Sequence, residues 1–416
     1  MSSAANPGNA GRVAFTYPAF TLYALARLCI VLATEMQSVA VGWQVYEITR
    51  RPLDLGLVGL AQFLPGILLF LVSGHAADRY DRRKVLMFGY AGFATCSALL
   101  LGITWRGAHT VYPIYAVMVL VGVVRSFNAP ASRAILPHLV AGEHFQNAVA
   151  WNATVFQTAT ILGPAFGGLA YTIFRGPAGV YAMAMAAAMG AFSAAVRMKP
   201  QATKPRARET VSWKTILAGL HYIWRQKLIL GSISLDLFAV LLGGAVALLP
   251  VYARDVLSAG PWALGLLRCA PGVGAGVTAI VMAHRPLRTR AGPTMLWCVA
   301  GFGVFTILFG ISRSLALSLV ALVLVGASDM VSVVIRAILV QVATPDEMRG
   351  RVNAVDVIFV GASNELGAFE SGVTAHWLGA VPAVVLGGAG ALVVTAIWAW
   401  AFPELRHADE LVMPHK

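Results

Sequence analysis

Carboxylates and arginines interrupt stretches of sequence that are otherwise apolar. The acids are Glu35, Asp236, Asp329, Asp356, Glu365 and Glu370; the bases at comparable depth are Arg27, Arg125 and Arg268. A charged side chain placed in hydrocarbon costs about 2.5–3.5 kcal/mol even on the lenient insertion scale. Such a group persists where it pairs, faces water or does work. A carboxyl that takes up and releases a proton is the chemistry of ion coupling. Glu35, Asp236, Asp329, Glu365 and Asp356, with Arg125, Arg27 and Arg268, are therefore the candidates for proton or substrate coupling. A purely structural role is the alternative. Arg27 with Glu35, or Arg268 with Asp236, would then be fixed pairs that orient helices, and Asp356 would belong to a cytoplasmic latch. Glu370 falls near an outer end, where water reaches it.

The elements that hold these groups follow from composition. The chain has 416 residues, is 58% hydrophobic and only 12% charged, with 41 glycines and 10 tryptophans. Its apolar runs are membrane-length, about 20 residues, and lie at 20–47, 55–77, 85–104, 111–136, 145–173, 178–197, 228–252, 260–284, 292–312, 315–341, 350–375 and 379–402. Strands of a soluble α/β protein are shorter and alternate with amphipathic helices, so that class is excluded. The expected fold is an all-α polytopic membrane protein of twelve transmembrane helices in two pseudo-symmetric six-helix bundles. The formal charge of +13 sits in loops facing lipid head groups, which leaves no reason to expect nucleic acid. Cys29, Cys96, Cys269 and Cys298 lie in apolar runs without metal-ligand spacing. No nucleophile–base pair, metal cluster or phosphate-binding loop stands in an interpretable context, so neither an enzyme nor a cofactor is expected.

Charge orients the chain. Lys and Arg concentrate in the even-numbered loops and the central linker, from Arg79, Arg82, Arg83 and Lys84 through Arg197, Lys199 and Lys204 to Arg349 and Arg351. The odd-numbered loops hold only Arg50, Arg51, Arg106, Arg175, Arg254 and Arg313. Both termini and the linker are expected in the cytoplasm. The organisation is then a tail at 1–19, a bundle at 20–197, a linker at 198–227, a bundle at 228–402 and a tail at 403–416. Within the linker, Trp213, Ile216, Leu217, Leu220 and Trp224 recur at helical spacing and predict an interfacial amphipathic helix. The opening MSSAANPGNAGR lacks an h-region and reads as a short tail.

The halves repeat. GLAQFLPGI at 59–67 matches GLLRCAPGV at 265–273, Val45-Tyr46 matches Val251-Tyr252, and QNAV at 146–149 matches VNAV at 352–355, all at one shift of 206. RAILP at 133–137 also matches RAILV at 336–340. Two similarly oriented bundles can enclose a cavity whose ends open alternately. Trp43, Tyr46, Phe63, Phe127, Trp151 and Phe156 are the aromatic candidates for lining it.

The stretch GHAADRYDRRK at 74–84 resembles the signature of the major facilitator superfamily in the loop after its second helix. Gly74, Asp78, Arg79, Arg82, Arg83 and Lys84 fit by position, while Asp81 replaces the usual glycine. The corresponding loop of the second half, MAHRPLRTRAG at 282–292, has lost the Asp-Arg pair. The resemblance implies a gating role for Gly74, Asp78, Arg79, Arg82 and Arg83, with Arg133 as a partner and Arg336 as its repeat counterpart. GVVRSFNAPASRAILPHLV at 122–140 is similar to the branch containing bacterial siderophore exporters of the enterobactin type and several drug exporters. That resemblance implies proton-driven export of an amphipathic small molecule from a bacterial inner membrane by a monomer. Uptake or facilitated transport of a nutrient, metal complex or lipid-like substrate is the alternative; a channel or a sensor is the remaining class.

Overall fold

A computed structural model describes residues 11–107, 110–199, 213–285 and 289–408, without the side chains of Phe70, Leu71, Ala77, Asp78 and 213–216. The expectations for Asp78, for the linker between 199 and 213 and for the outermost tails lie outside the described residues. The described chain is all-α. Nine of its helical segments are long and apolar enough to cross a membrane.

Fourteen longer helices are labelled here in chain order. They are α1 (Pro18–Thr49), α2 (Pro52–Leu68), α3 (Phe70–Arg79), α4 (Arg82–Trp105), α5 (Tyr112–Ile135), α6 (Phe145–Ile173) and α7 (Pro177–Arg197), then α8 (Trp213–Arg225), α9 (Lys227–Leu242), α10 (Pro261–His284), α11 (Ala291–Ile311), α12 (Leu315–Ala343), α13 (Asp346–Leu378) and α14 (Ala380–Ala401).

Two expected spans are not continuous helices. The run 55–77 divides into α2 and α3 at Leu69, one turn after Pro65, which has no N–H to give the helix. The run 228–252 stops at Gly243-Gly244 and resumes as a 3₁₀ turn and a π-helical turn at Tyr252–Val256. A glycine pair supports neither helix propensity nor side-chain packing, so a break falls there readily. Helices α6 and α13 are outside the apolar set because polar residues run through them, Gln146 to Gln157 in one and Asp346 to Glu370 in the other.

The chain forms two compact units, Met1–Gln44 with Ala61–Val211, and Val45–Leu60 with Ser212–Lys416. In the first unit, close approach rests on glycine. A Cβ on Gly167 would meet the Met36 backbone at 2.8 Å, and one on Gly122 would run into the Gln62 carbonyl. In the second unit α10 and α12 meet the same way, with Gly326 against the Pro271 carbonyl and Gly274 against that of Val323. Small residues let membrane helices gain dispersion contacts where no hydrophobic force drives them together. The second unit's buried cluster joins Leu235 and Ala239 of α9, Met295 and Val299 of α11, Ile335 and Leu339 of α12, and Ala391 and Val394 of α14. The predicted amphipathic helix is α8; Ile223 is buried, Leu217 and Trp224 are exposed, and the Tyr222 hydroxyl donates to the Ala343 carbonyl at 3.1 Å.

Candidate functional site

In the first unit, α1 presents Arg27, Val31, Thr34, Ser38 and Val41 at spacings of three and four, hence on one face. Helix α5 does the same with Met118, Val121, Arg125, Asn128 and Ser132. Between them lies a cavity of about 410 Å³, whose wall also includes Glu35, Gln37, Gln62, Phe93, Arg133 and Phe156. Arg27 Nη1 donates to Ser132 Oγ at 2.6 Å, and its guanidinium lies 5.1 Å from the Phe156 ring centroid. The Tyr23 hydroxyl reaches the same serine, bonding its carbonyl at 2.9 Å and its Oγ at 2.8 Å. Gln37 Oε1 accepts from Ser97 Oγ at 2.7 Å, and this ties the floor to α4. Glu35 is crowded from α6, where a Cβ on Gly163 would lie 2.5 Å from the Glu35 Cβ. A site of this size with a few convergent polar groups has the usual form of a small-molecule pocket.

In the second unit, Arg336 of α12 joins two acids. It lies 3.4 Å from Asp236 of α9 and 2.7 Å from Asp356 of α13. Arg336 and Asp236 are 6% and 7% exposed by side chain, so water does little to screen them, whereas Asp356 is 25% exposed. Asp329, Ser332 and Arg336 follow at three and four residues along α12 and share a face. A small cleft beside the pair is lined by Asp236, Asp329, Ser328, Ser332 and Phe302. Two carboxylates on one guanidinium, with a third beside them, form a cluster in which one proton or one broken pair changes the charge balance.

A third polar group of the second unit surrounds the end of α1. The Tyr46 hydroxyl donates to Asp255, Arg50 is 3.8 Å from the same carboxylate, and Arg254 is 3.5 Å from Glu47. Nearby, Gly56 of α2 approaches the Phe369 backbone so closely that a Cβ would sit 3.0 Å from its Cα. Glu365 Oε2 would be 3.3 Å from a Cβ on Gly59.

The sequence candidates thus separate by place. Arg27, Glu35, Arg125, Arg133 and Phe156 share the first unit's cavity. Asp236, Asp356 and Arg336 share the ion-paired cluster, with Asp329 at its edge. Asp236 takes Arg336 as partner where the sequence suggested Arg268, which lies half-buried on α10. Arg27 turns to Ser132 and Phe156. Of the other aromatic candidates, Trp43 packs on Tyr171 at 6.3 Å, and Tyr46 bonds Asp255. Trp151 donates to the Gly11 carbonyl at 2.8 Å and packs against Phe15, and Phe63 is half-buried on α2. Phe127 borders a different groove, with Arg79, Lys84 and Phe88.

Among the basic residues of 74–84, Arg83 ties α4 to the end of α7 through the carbonyls of Ala195 and Val196, and Arg82 meets His138. Asp81, which stands in for the signature's glycine, caps α4 by accepting from the Arg83 N–H at 2.9 Å. A Cβ on Gly74 would meet open space. Glu47 and Asp255 give no signal in the sequence, and Arg254 signals only topology, because each lies at a helix end where charge is ordinary.

A family profile described as transmembrane secretion effector matches residues 12–415. Over 398 residues the chain is 26% identical to the enterobactin exporter EntS of Escherichia coli (strain K12), covering 94% of each. EntS of Shigella dysenteriae serotype 1 is 27% identical with the same coverage. Among solved structures, the nucleoside transporter NupG aligns with a TM-score of 0.73 at 11% identity, covering 92% of this chain and 100% of that one. A bacterial homologue of the human lysosomal transporter Spinster aligns with a TM-score of 0.71 at 11% identity, covering 94% and 96%. At such identities the solved structures show a common fold.

Proposed function

We propose that this chain, which belongs to the transmembrane secretion effector family of the major facilitator superfamily, exports an amphipathic small molecule, siderophore or drug-like, in exchange for protons. It is a secondary transporter of the alternating-access type in a bacterial inner membrane, and not an enzyme. Export of such a cargo is supported by the ligand-sized cavity whose wall holds Glu35 with Arg27, Arg125 and Arg133. Phe93 and Phe156 give it apolar wall, so it offers both halves of an amphipathic cargo something to contact.

Proton coupling in this reading is shared. Glu35 senses the cargo directly, and Asp329 with the Asp236–Arg336–Asp356 cluster exchanges the proton in the second unit. Glu365 and Arg268 are further coupling candidates. Arg79, Arg82, Arg83 and Arg133 act at the cytoplasmic gate together with Asp78 and Gly74. Twelve spans in two six-helix bundles, cytoplasmic termini and a monomer complete the proposal. Relatedness to EntS supports the siderophore-like end of the cargo range.

The test uses purified protein in sealed vesicles under an imposed pH gradient. Glu35→Gln should abolish gradient-driven flux of a transported dye while the protein remains folded and monodisperse. Wild-type flux in that variant would remove Glu35 from the mechanism.

A further inference from the structure

The four bases between 79 and 84 are not used alike. Arg83 is spent on the carbonyls of Ala195 and Val196, and Arg82 meets His138. Arg79 and Lys84 are exposed, and among the described residues no ion pair or side-chain hydrogen bond engages either. Both border a groove of about 520 Å³ in the first unit. Three helices build it, each with residues at spacings of three and four, hence on one face. Helix α3 gives Ala76, Arg79 and Tyr80; α4 gives Val85, Phe88 and Gly89; α5 gives Val123, Val124 and Phe127. The floor is tight, since a Cβ on Gly89 would lie 2.8 Å from Asn128 Oδ1. Phe88 is 78% exposed on a membrane-length apolar helix, a position that faces lipid. Lys84 stands one turn nearer the helix end, in the first turn of α4, and Arg79 in the last turn of α3. Asp81 also borders the groove, and its Oδ1 is taken by the Arg83 N–H at the start of α4.

We propose that this groove holds an anionic phospholipid of the leaflet in which α3 and α4 end. Its phosphate lies against Arg79 and Lys84, and an acyl chain runs along Phe88, Val123 and Phe127. Charge complementarity selects the headgroup, because guanidinium and ammonium groups donate to phosphate oxygens and carry the opposite charge. Long basic side chains lay their stems along apolar surface and turn their charged ends to the headgroup level. The apolar walls suit hydrocarbon, whereas a water-soluble anion would leave them uncovered. Because α3 is separated from α2 by the break at Leu69, a lipid seated there also braces α3 against α4 and α5.

The test is native mass spectrometry of the purified full chain, with dioleoyl phosphatidylglycerol or dioleoyl phosphatidylcholine added to the detergent. The readout is the Kd of the first retained lipid. Phosphatidylglycerol should bind at least about tenfold tighter than phosphatidylcholine, a difference of about 1.4 kcal/mol. Arg79→Gln and Lys84→Gln should each weaken phosphatidylglycerol about fivefold and leave phosphatidylcholine unchanged. Arg225→Gln, which removes an exposed base at the end of α8, should change neither. Val123→Phe fills the groove and keeps its charges, and Phe88→Ala strips its outer wall; both should weaken both lipids. Glycerol 1-phosphate in large excess should not displace phosphatidylglycerol. Equal affinity for the two lipids would overturn the proposal, as would an unchanged preference in both glutamine variants of the groove. An equal loss in Arg225→Gln would reduce the effect to general surface charge and overturn it too. Displacement by glycerol 1-phosphate would make the ligand a free phosphate. Unchanged affinity in Phe88→Ala, an exposed position that leaves the fold intact, would remove the groove as the place of the chain.

Discussion

Removing Arg336 should be among the most damaging single changes in the second unit, and its cost can be bounded. In Arg336→Met the carboxylate of Asp236, 7% exposed, loses its cation, and Asp356 loses a 2.7 Å partner. Breaking one side of a buried pair costs about 3–5 kcal/mol. An orphaned aspartate escapes by taking up a proton, which from its usual solution value near ~3.9 costs about 4 kcal/mol at pH 7. The two routes agree, so a loss of about 4 kcal/mol is expected from Asp236. Asp356 adds less because water reaches it. That is a large share of the roughly 5–15 kcal/mol by which folded domains are stable. The sign with pH follows: protonation is cheaper in acid, so the deficit should shrink by up to about 2.7 kcal/mol between pH 7 and pH 5.

The assay is the surviving monodisperse fraction after heating in detergent, run with wild type, Arg336→Met, Asp236→Asn and the double variant. Asp236→Asn in the Arg336→Met background should recover at least half of the loss, because it removes the stranded charge. Full stability of Arg336→Met at pH 7 would show that the pairs with Asp236 and Asp356 do not hold the unit together. A deficit that does not change with pH, or a double variant worse than either single one, would rule out the stranded charge as the cause.

Other parts of the structure carry predictions of their own. Tyr46→Phe or Asp255→Asn removes a charge-assisted hydrogen bond of about 1–2 kcal/mol once partial exposure is allowed for. Hydrogen exchange of residues 45–60 should then quicken roughly tenfold; unchanged protection would show that the contact does not hold that segment. Gly326→Val drives a side chain into the Pro271 carbonyl, with backbone on both sides. The variant should fail to yield monodisperse protein, and a normal yield would contradict the close α10–α12 packing. Lys84→Cys should react with a membrane-impermeant thiol reagent only from the cytoplasmic side, and Arg313→Cys only from outside. Labelling of both from one side would break the proposed topology.

Much of the helical order was legible because apolar length decides it, with a helix in every expected segment. Pro65 is a sequence signal for the break at Leu69, yet its repeat counterpart Pro271 lies inside an unbroken α10, since a proline bends or interrupts a helix according to what packs against it; the stop at Gly243-Gly244 was not legible. For the site, the face shared by Arg27, Thr34 and Ser38 was open to a reading of helical spacing, as was that shared by Arg125, Asn128 and Ser132. The neutral members carry no signal by themselves, because serine and asparagine are unremarkable in membrane helices until a cavity gives them a common side. The repeat linked Arg133 with Arg336, yet the structure gives them different surroundings: a cavity wall for one, two carboxylates for the other. Repeats preserve backbone position; the partners come from the neighbouring helices, which have diverged. Aromatic type carried little information, since Trp43 and Trp151 found neighbours outside the cavity.

In the proposed function, cargo and protons move against one another through a single saturable pathway. Proton release measured while cargo is presented to the cytoplasmic face of protein in sealed vesicles tests it most directly. Proton-coupled export should move cargo up its own gradient while the pH gradient lasts, saturate with cargo concentration, and stop on adding a protonophore. Cargo flux that rises without limit, or that is unchanged when the pH gradient is dissipated, would contradict it.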